Sequence, residues 1–272
     1  MPEANADSQI ERAARAIASA DALLIGAGAG MGVDSGLPDF RGNKGFWRAY
    51  PSFQGRSFEN LSNPIWFKSA PSEAWAFYGQ RMNLYRDTTP HRGFEILRRW
   101  GESKPSQYFV FTSNVDGHFQ KAGFDSERVL ECHGSIHHLQ CSAPCAWDIW
   151  PADDVALEVD LETMQTLSPM PQCIKCDSVA RPNILMFGDF EWHGSRSDEQ
   201  QKRYDSWIQR LGGGSLATIE IGAGENIPTV RHECEERGTL IRINPADSEV
   251  PPGGISIAMP GLEALLKIDA AM

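Results

Sequence analysis

Long apolar runs are missing. No stretch approaches the roughly 18 to 20 consecutive apolar residues that cross a bilayer, and the first residues, Met1 to Ile10, carry acids in place of a signal-type apolar segment. Basic charge is also in short supply. Twenty-five Lys and Arg against 36 Asp and Glu leave a formal net charge of −11, which argues against general nucleic-acid coating or adhesion to an anionic membrane. Cysteine is sparse. Six in 272 residues do not make a disulfide framework, so a cytoplasmic protein is expected, in which clustered thiols are more often metal ligands. Internal repeats and low-complexity tracts are absent as well. What is present is an ordinary globular composition, 41% hydrophobic and 22% charged, long enough for one large domain with a smaller insertion or for two small domains.

Periodicity then supplies the class. Ile10, Ala13, Ala14 and Ile17 recur at helical spacing behind the cap candidates Asp7 and Ser8, so residues 8–20 read as an amphipathic helix. A short apolar run, Ala22 to Ile25, follows and ends in glycines. The alternation continues with strands at Tyr108–Thr112, Arg128–Glu131, Asn183–Phe187, Leu216–Ile221 and Thr239–Ile243. Helices are expected at 91–100, 116–123, 197–211 and 228–237, before a last strand and helix. Alternating strands and helices predict an α/β fold, a parallel sheet covered on both faces with ligands beyond the carboxyl ends of its strands. Two stretches interrupt the rhythm: 42–86, rich in aromatics from Phe46 to Tyr78, and 137–180, which holds four of the cysteines.

Two patterns carry chemistry on their own. Gly26-Ala27-Gly28-Ala29-Gly30-Met31-Gly32 at a strand end lets the backbone approach a phosphate, and a following helix would aim its amides at the same charge. Val33 stands where the usual dinucleotide spacing wants the third glycine, so a plain tight turn is the competing reading. Cys141 and Cys145, then Cys173 and Cys176, form two thiolate hooks that can close a tetrahedral Zn²⁺ shell without an open position, which makes the metal structural. Disulfides or free thiols remain the alternatives. Cys132 and Cys234 read as small buried side chains.

The glycine loop continues into Ser35-Gly36-Leu37-Pro38-Asp39-Phe40-Arg41. Together with Thr112-Ser113-Asn114-Val115-Asp116-Gly117, Glu131-Cys132-His133-Gly134-Ser135, and Arg181-Pro182 with Phe187-Gly188-Asp189, it resembles the sirtuins, NAD-dependent protein deacylases. The resemblance runs from about residue 8 to 268. It implies a Rossmann-like doubly wound parallel sheet made of 1–43, 87–136 and 181–272, a cofactor loop and helical module at 44–86, and a zinc-binding module at 137–180. It also implies that His133, Asn114 and Asp116 surround the nicotinamide ribose. In the family an acyl-lysine oxygen displaces nicotinamide; the histidine then takes a proton from a ribose hydroxyl, and amine and O-acyl-ADP-ribose result. His133 is the expected general base, since imidazole titrates near working pH.

By the same resemblance NAD is held by Gly28, Ala29, Gly30, Asp39, Phe40, Arg41, Ser113, Asn114, Asp116, Gly222, Ala223, Gly224 and Asn244, and the partner is an acylated lysine on a protein or peptide. Tyr78 and Arg81 resemble the Tyr-x-x-Arg pair of sirtuins that remove succinyl and malonyl groups; at i and i+3 of a helix they would share one face and grip a carboxylate. An aromatic in the core beside a solvated arginine is the plainer reading. The chain departs from the family at Gly32, Ser113, His118, Phe119, Ala223 and Gly224. Those departures keep mono-ADP-ribosyl transfer, NAD hydrolysis and a catalytically silent NAD or acyl-peptide binder open beside deacylation. Oligomeric state is not legible.

Overall fold

The computed structural model describes residues 2–38 and 58–272, with side chains from 7 to 38 and from 59 onward. Asp39, Phe40, Arg41 and the first part of the expected cofactor loop lie outside these residues. Eleven strands are described, in chain order β1 (Ala22–Ala27), β2 (Tyr108–Thr112), β3 (Val129–Glu131), β4 (Gly134–Cys141), β5 (Ile149–Pro151), β6 (Val159–Asp160), β7 (Gln165–Thr166), β8 (Ala180–Ile184), β9 (Leu216–Ile221), β10 (Thr239–Ile243) and β11 (Ile255–Ile257).

Six of them form a parallel sheet in the order β11-β10-β9-β1-β2-β3. Every residue of β1 and β2 is buried, as central strands covered on both faces require. One face packs on helices Pro2–Ser19, Arg92–Glu102 and Gly261–Ala270 through Ile10, Ile17, Phe94, Leu97, Leu265 and Ile268. The other packs on Ser195–Leu211 and Thr229–Glu235 through Tyr204, Trp207, Val230 and Cys234. The sheet is therefore doubly wound. From β1 the chain winds outward to β2 and β3, and later from β9 outward to β10 and β11, so the reversal falls between β1 and β9. At such a switch point the loops leave in opposite directions and open a crevice at the carboxyl ends.

Three local expectations give way to tertiary structure. The strand expected at 183–187 begins at Ala180 and joins a different sheet, antiparallel to β4 in the order β5-β4-β8. A short apolar run has no means of declaring which sheet it will join. After the glycine loop a 3-10 segment, Ala29–Ser35, stands in place of an α-helix, closed by Gly36 at φ 92°. The helix expected at 116–123 shrinks to His118–Lys121 between Gly117 and Gly123, both in the left-handed region.

A second core joins what the sequence separates. Trp75, Phe77, Tyr78 and Met82 of helix Pro71–Asp87 pack with Leu61 and Phe67 and with Ile136, Leu139, Leu157, Met164, Ala180 and Ile184. Trp75 Nε1 donates to Ala180 O at 2.8 Å, while Asn83 and Arg86 donate to the carbonyls of Leu157, Val155 and Ala152. The helical stretch and the cysteine-bearing insertion thus share one apolar interior. Trp75→Ala, removing a fully buried ring, should cost about 3–5 kcal/mol. Hydrogen exchange should show helix Pro71–Asp87 and β8 losing protection together; protection retained in one and lost in the other would contradict a shared core.

Candidate active site

Two glycine turns meet where the sheet reverses. Gly28 N donates to Ile221 O at 3.0 Å, and Gly30 N to Gly222 O at 3.0 Å, which ties the turn after β1 to the turn after β9. A Cβ on Gly28 would lie 2.6 Å from Ala223 Cα, and one on Gly222 would lie 2.4 Å from Gly30 Cα, with φ at +61° there. Only glycine permits this approach. The floor is therefore bare backbone, the surface a phosphate can reach.

Next in strand order come the residues after β2. Thr112 Oγ1 donates to Ala27 O at 2.9 Å and accepts from Asn114 N at 3.0 Å, which turns the chain sharply off the strand. Asn114 Nδ2 donates to Gly28 O at 3.0 Å, so the amide oxygen is the end left for a ligand. Asp116 Oδ1 accepts from His118 N at 2.9 Å. The Asp116 carbonyl receives His137 Nε2 at 2.9 Å, which assigns the proton of that ring to Nε2 and gives His137 a supporting role.

His133 stands two residues beyond β3. The strand end before it is held by the buried Glu131, whose carboxylate meets Arg196 at 2.5 Å, whose N–H donates to Gln200 Oε1 and whose carbonyl accepts from Ser197 Oγ. The carbonyl of His133 accepts from Leu185 N at 3.0 Å. Burial pushes the imidazole below its ordinary pKa, because the charged form loses more hydration than the neutral one. The ring is neutral at pH 7 and able to accept a proton.

These groups open into one cavity of about 830 Å³, lined by Gly28, Ala29, Ser113, Asn114, Asp116, His133, Gly222, Ala223 and Gly224 among others. That size is within the roughly 300–1,000 Å³ of small-molecule and cofactor sites. With its glycine cradle, it fits a dinucleotide. Gly30 lies behind the wall and locks Gly222.

Asn244 is not brought to the cavity. Fully buried, it donates to Ala223 O at 3.0 Å and accepts from Ala246 N and Asp247 N, so it braces the turn from behind while Asp247 lines the wall. Tyr78 and Arg81 also part company. Tyr78 is buried in the second core with its hydroxyl 3.2 Å from Ser62 Oγ, off the wall; Arg81 is on it, donating from Nε and Nη2 to Tyr85 Oη at 3.2 and 2.9 Å. The helix explains the exchange: Tyr85 at i+4 reaches Arg81 from the cavity side.

Sequence reasoning misses Tyr85, Glu225 and Asp247, which sit in no recognisable motif. It also misses the purpose of Arg181 and Asp189, whose fully buried bidentate pair at 2.8 Å clamps the 185–189 segment. Phe187, bonded through its N–H to Ser62 O, is held at the cavity by that clamp. The signal was available: an Arg and an Asp eight residues apart around a glycine suggest a closed loop.

The four cysteines converge. Their sulfurs lie within 4.8 Å of one another, with Cys141 and Cys176 at 3.7 Å and Cys145 and Cys173 at 3.6 Å. A Zn–S bond of about 2.3 Å in a tetrahedron separates sulfurs by about 3.8 Å, so the set fits zinc, and the spacing is far beyond a disulfide. Cys132 and Cys234 stand apart from the cluster. No described helix is long and apolar enough to cross a membrane.

Fold and site together define a doubly wound nucleotide-binding protein with a cysteine-cornered insertion. The model of the Sir2 family matches residues 28–205, well over half of the chain, and the chain belongs to that family. It is similar to the NAD-dependent protein deacylase 1 of Archaeoglobus fulgidus, 28% identical over 247 residues and 89% of each chain. A Protein ADP-ribosyltransferase of Staphylococcus aureus is 29% identical over 82% of this chain and 72% of its own. The NAD-dependent protein deacylase of Aquifex aeolicus is 31% identical, and there the alignment spans 59% of the relative's length. In structure the chain resembles a crystallised Sir2 homologue–NAD complex, with a TM-score of 0.71 over 96% of this chain and 93% of that one, at 24% identity. The likeness is one of fold.

Native mass spectrometry of the purified chain should find one zinc ion. Cys173→Ser, or chelation, should remove it and lower the melting temperature, since four thiolates brought together without a metal lose their cross-link. An unchanged melting temperature after complete metal loss would contradict a structural role.

Proposed function

We propose that the protein removes acyl groups from lysines of proteins or peptides at the expense of NAD. The observation that carries this is the convergence of His133, Asn114 and Asp116, drawn from the ends of two neighbouring strands, on one cavity with the two glycine turns. Bound NAD supplies a ribose carbon that can exchange nicotinamide for an acyl-lysine oxygen. The neutral ring of His133 takes a proton from a ribose hydroxyl held within hydrogen-bond reach. Asp116 accepts from the nicotinamide carboxamide, and the Asn114 amide oxygen orients a ribose hydroxyl or a water. Zinc at Cys141, Cys145, Cys173 and Cys176 fixes the sheet that carries β8 and stays out of the chemistry. Residues 1–43, 87–136 and 181–272 form the nucleotide-binding domain, 44–86 the cofactor loop and helical module and 137–180 the zinc-binding module, with the peptide lying between the large domain and these two, and thiolate ligands suit a reducing cytoplasm.

The acyl group is proposed to be acidic. Arg81, 6% exposed, reaches the cavity among the rings of Phe77, Tyr78 and Tyr85 at 5.4 to 5.6 Å. A guanidinium so poorly hydrated gains strongly from a carboxylate. ADP-ribosyl transfer is the second reading, favoured by the Staphylococcus relative together with Ser113, which lines the cavity where sirtuins place glutamine.

Nicotinamide release should require an acylated peptide, and His133→Ala should abolish it; release at the same rate without peptide would contradict deacylation. The products discriminate further, because O-acyl-ADP-ribose marks deacylation and ADP-ribose on protein marks transfer. The acid limb of kcat/KM should have its midpoint below 6.5, because burial lowers the His133 pKa and the base is lost only as pH falls through that lowered value. For the acyl preference, Arg81→Met should cost about 10- to 100-fold on succinyl-peptide and far less on acetyl-peptide. Equal losses on both would remove it.

A further inference from the structure

The turn that carries Asn114 and Asp116 is fastened to the strand that follows His133. β4 pairs with β8 at Gly134 and Ser135 and again from Leu139, with the register broken between. The residues in that break reach toward the 113–117 turn instead. Ile136 N donates to Val115 O at 3.0 Å, and His137 Nε2 donates to Asp116 O at 2.9 Å. The His137 ring also lies on Gly117, at φ +69°, where a Cβ would come within 2.7 Å of His137 Cδ2. Asp116 is thereby fixed twice, its carbonyl by His137 and its Oδ1 by His118 N. The second carboxylate oxygen is left for the cavity that Asp116 lines.

We propose that His137 is a positioning residue for Asp116 and sets how strongly the nicotinamide end of NAD is held, which rests on the reading of this cavity as an NAD site with Asp116 at the carboxamide. A side-chain donor on the Asp116 carbonyl fixes the peptide plane that follows, and with it the direction in which the carboxylate is aimed. A hydrogen bond to the carboxamide is strong only over a narrow range of distance and angle. The backbone of His137 is held separately: its N–H donates to Ser135 Oγ at 3.2 Å and its carbonyl accepts from Ala152 N at 2.9 Å. Changing the ring therefore releases Asp116 without releasing β4. Asn114 and His133 keep their own anchors, Asn114 Nδ2 on Gly28 O and the His133 carbonyl on Leu185 N.

NAD and ADP-ribose differ only at the nicotinamide end, so titration calorimetry of the whole chain with each, without peptide, isolates that end. His137→Leu should weaken NAD about tenfold, the size of one lost hydrogen bond, and leave ADP-ribose within about twofold. His137→Asn, whose amide extends only as far as Nδ1 of the ring, should do the same while keeping a polar side chain. His137→Gln, whose amide nitrogen extends as far as Nε2, should restore NAD binding. Equal weakening of both ligands, NAD binding unchanged in the Leu and Asn variants, or a Gln variant no better than Asn overturns His137 as the positioning residue. Asp116→Ala separates the two readings. NAD weakened by Asp116→Ala and not by the His137 variants leaves the Asp116 assignment standing, whereas NAD unaffected by Asp116→Ala overturns both. No binding of either ligand to the unsubstituted chain overturns the NAD reading as well.

Discussion

The close approach of the turns after β1 and β9 is the constraint on which the rest of the site depends. Gly28 against Ala223 and Gly222 against Gly30 leave no room for a side chain, so the floor of the cavity is backbone alone. Because the turns are pinned to each other by their own amides, this floor is formed before any ligand arrives. Everything else is placed relative to it. Asn114 is bonded to Gly28 O, Asp116 follows two residues later, and His133 stands beyond the next strand.

Around that floor the structure separates bracing from contact. Glu131 with Arg196, Arg181 with Asp189, and Asn244 with Ala223 are buried polar groups whose partners are other parts of the chain. Each sits one layer behind a wall residue: His133, Phe187 and the 222–224 turn respectively. A buried pair is weak in net stability, since desolvation offsets attraction, but breaking one strands a charge and releases the segment it holds. Positioning is thus the better account of why such pairs flank the cavity.

The Arg81 end of the cavity joins two parts of the chain that composition separates. Helix Pro71–Asp87 carries Arg81 and Tyr85 to the wall and buries Trp75 under β8, so the cysteine-bearing insertion and the helical stretch are packed against each other. The zinc corner and the arginine share an apolar interior while their chemistries stay apart. The Arg81 guanidinium lies among three aromatic rings, where little water reaches it.

The class of fold, the glycine turn after the first strand and the paired cysteine hooks were legible in the chain, because each is a short-range pattern, whereas His133, Asn114 and Asp116 were singled out by the resemblance of their motifs and meet at one cavity only in the fold. Apolar runs declare central strands, glycines declare turns, and thiol spacing declares a cluster. Long-range placement decided the remainder. Whether 180–184 joins the parallel sheet or pairs with β4 turns on a partner 39 to 50 residues away, and Tyr85, not Tyr78, turns its hydroxyl to Arg81 because packing against Ser62 and Phe67 claims the earlier ring. Asn244 and Asp247 exchange wall and brace for the same reason. A motif specifies which residues are near one another in sequence; which of them face the solvent-filled space is settled only when the opposite wall is built.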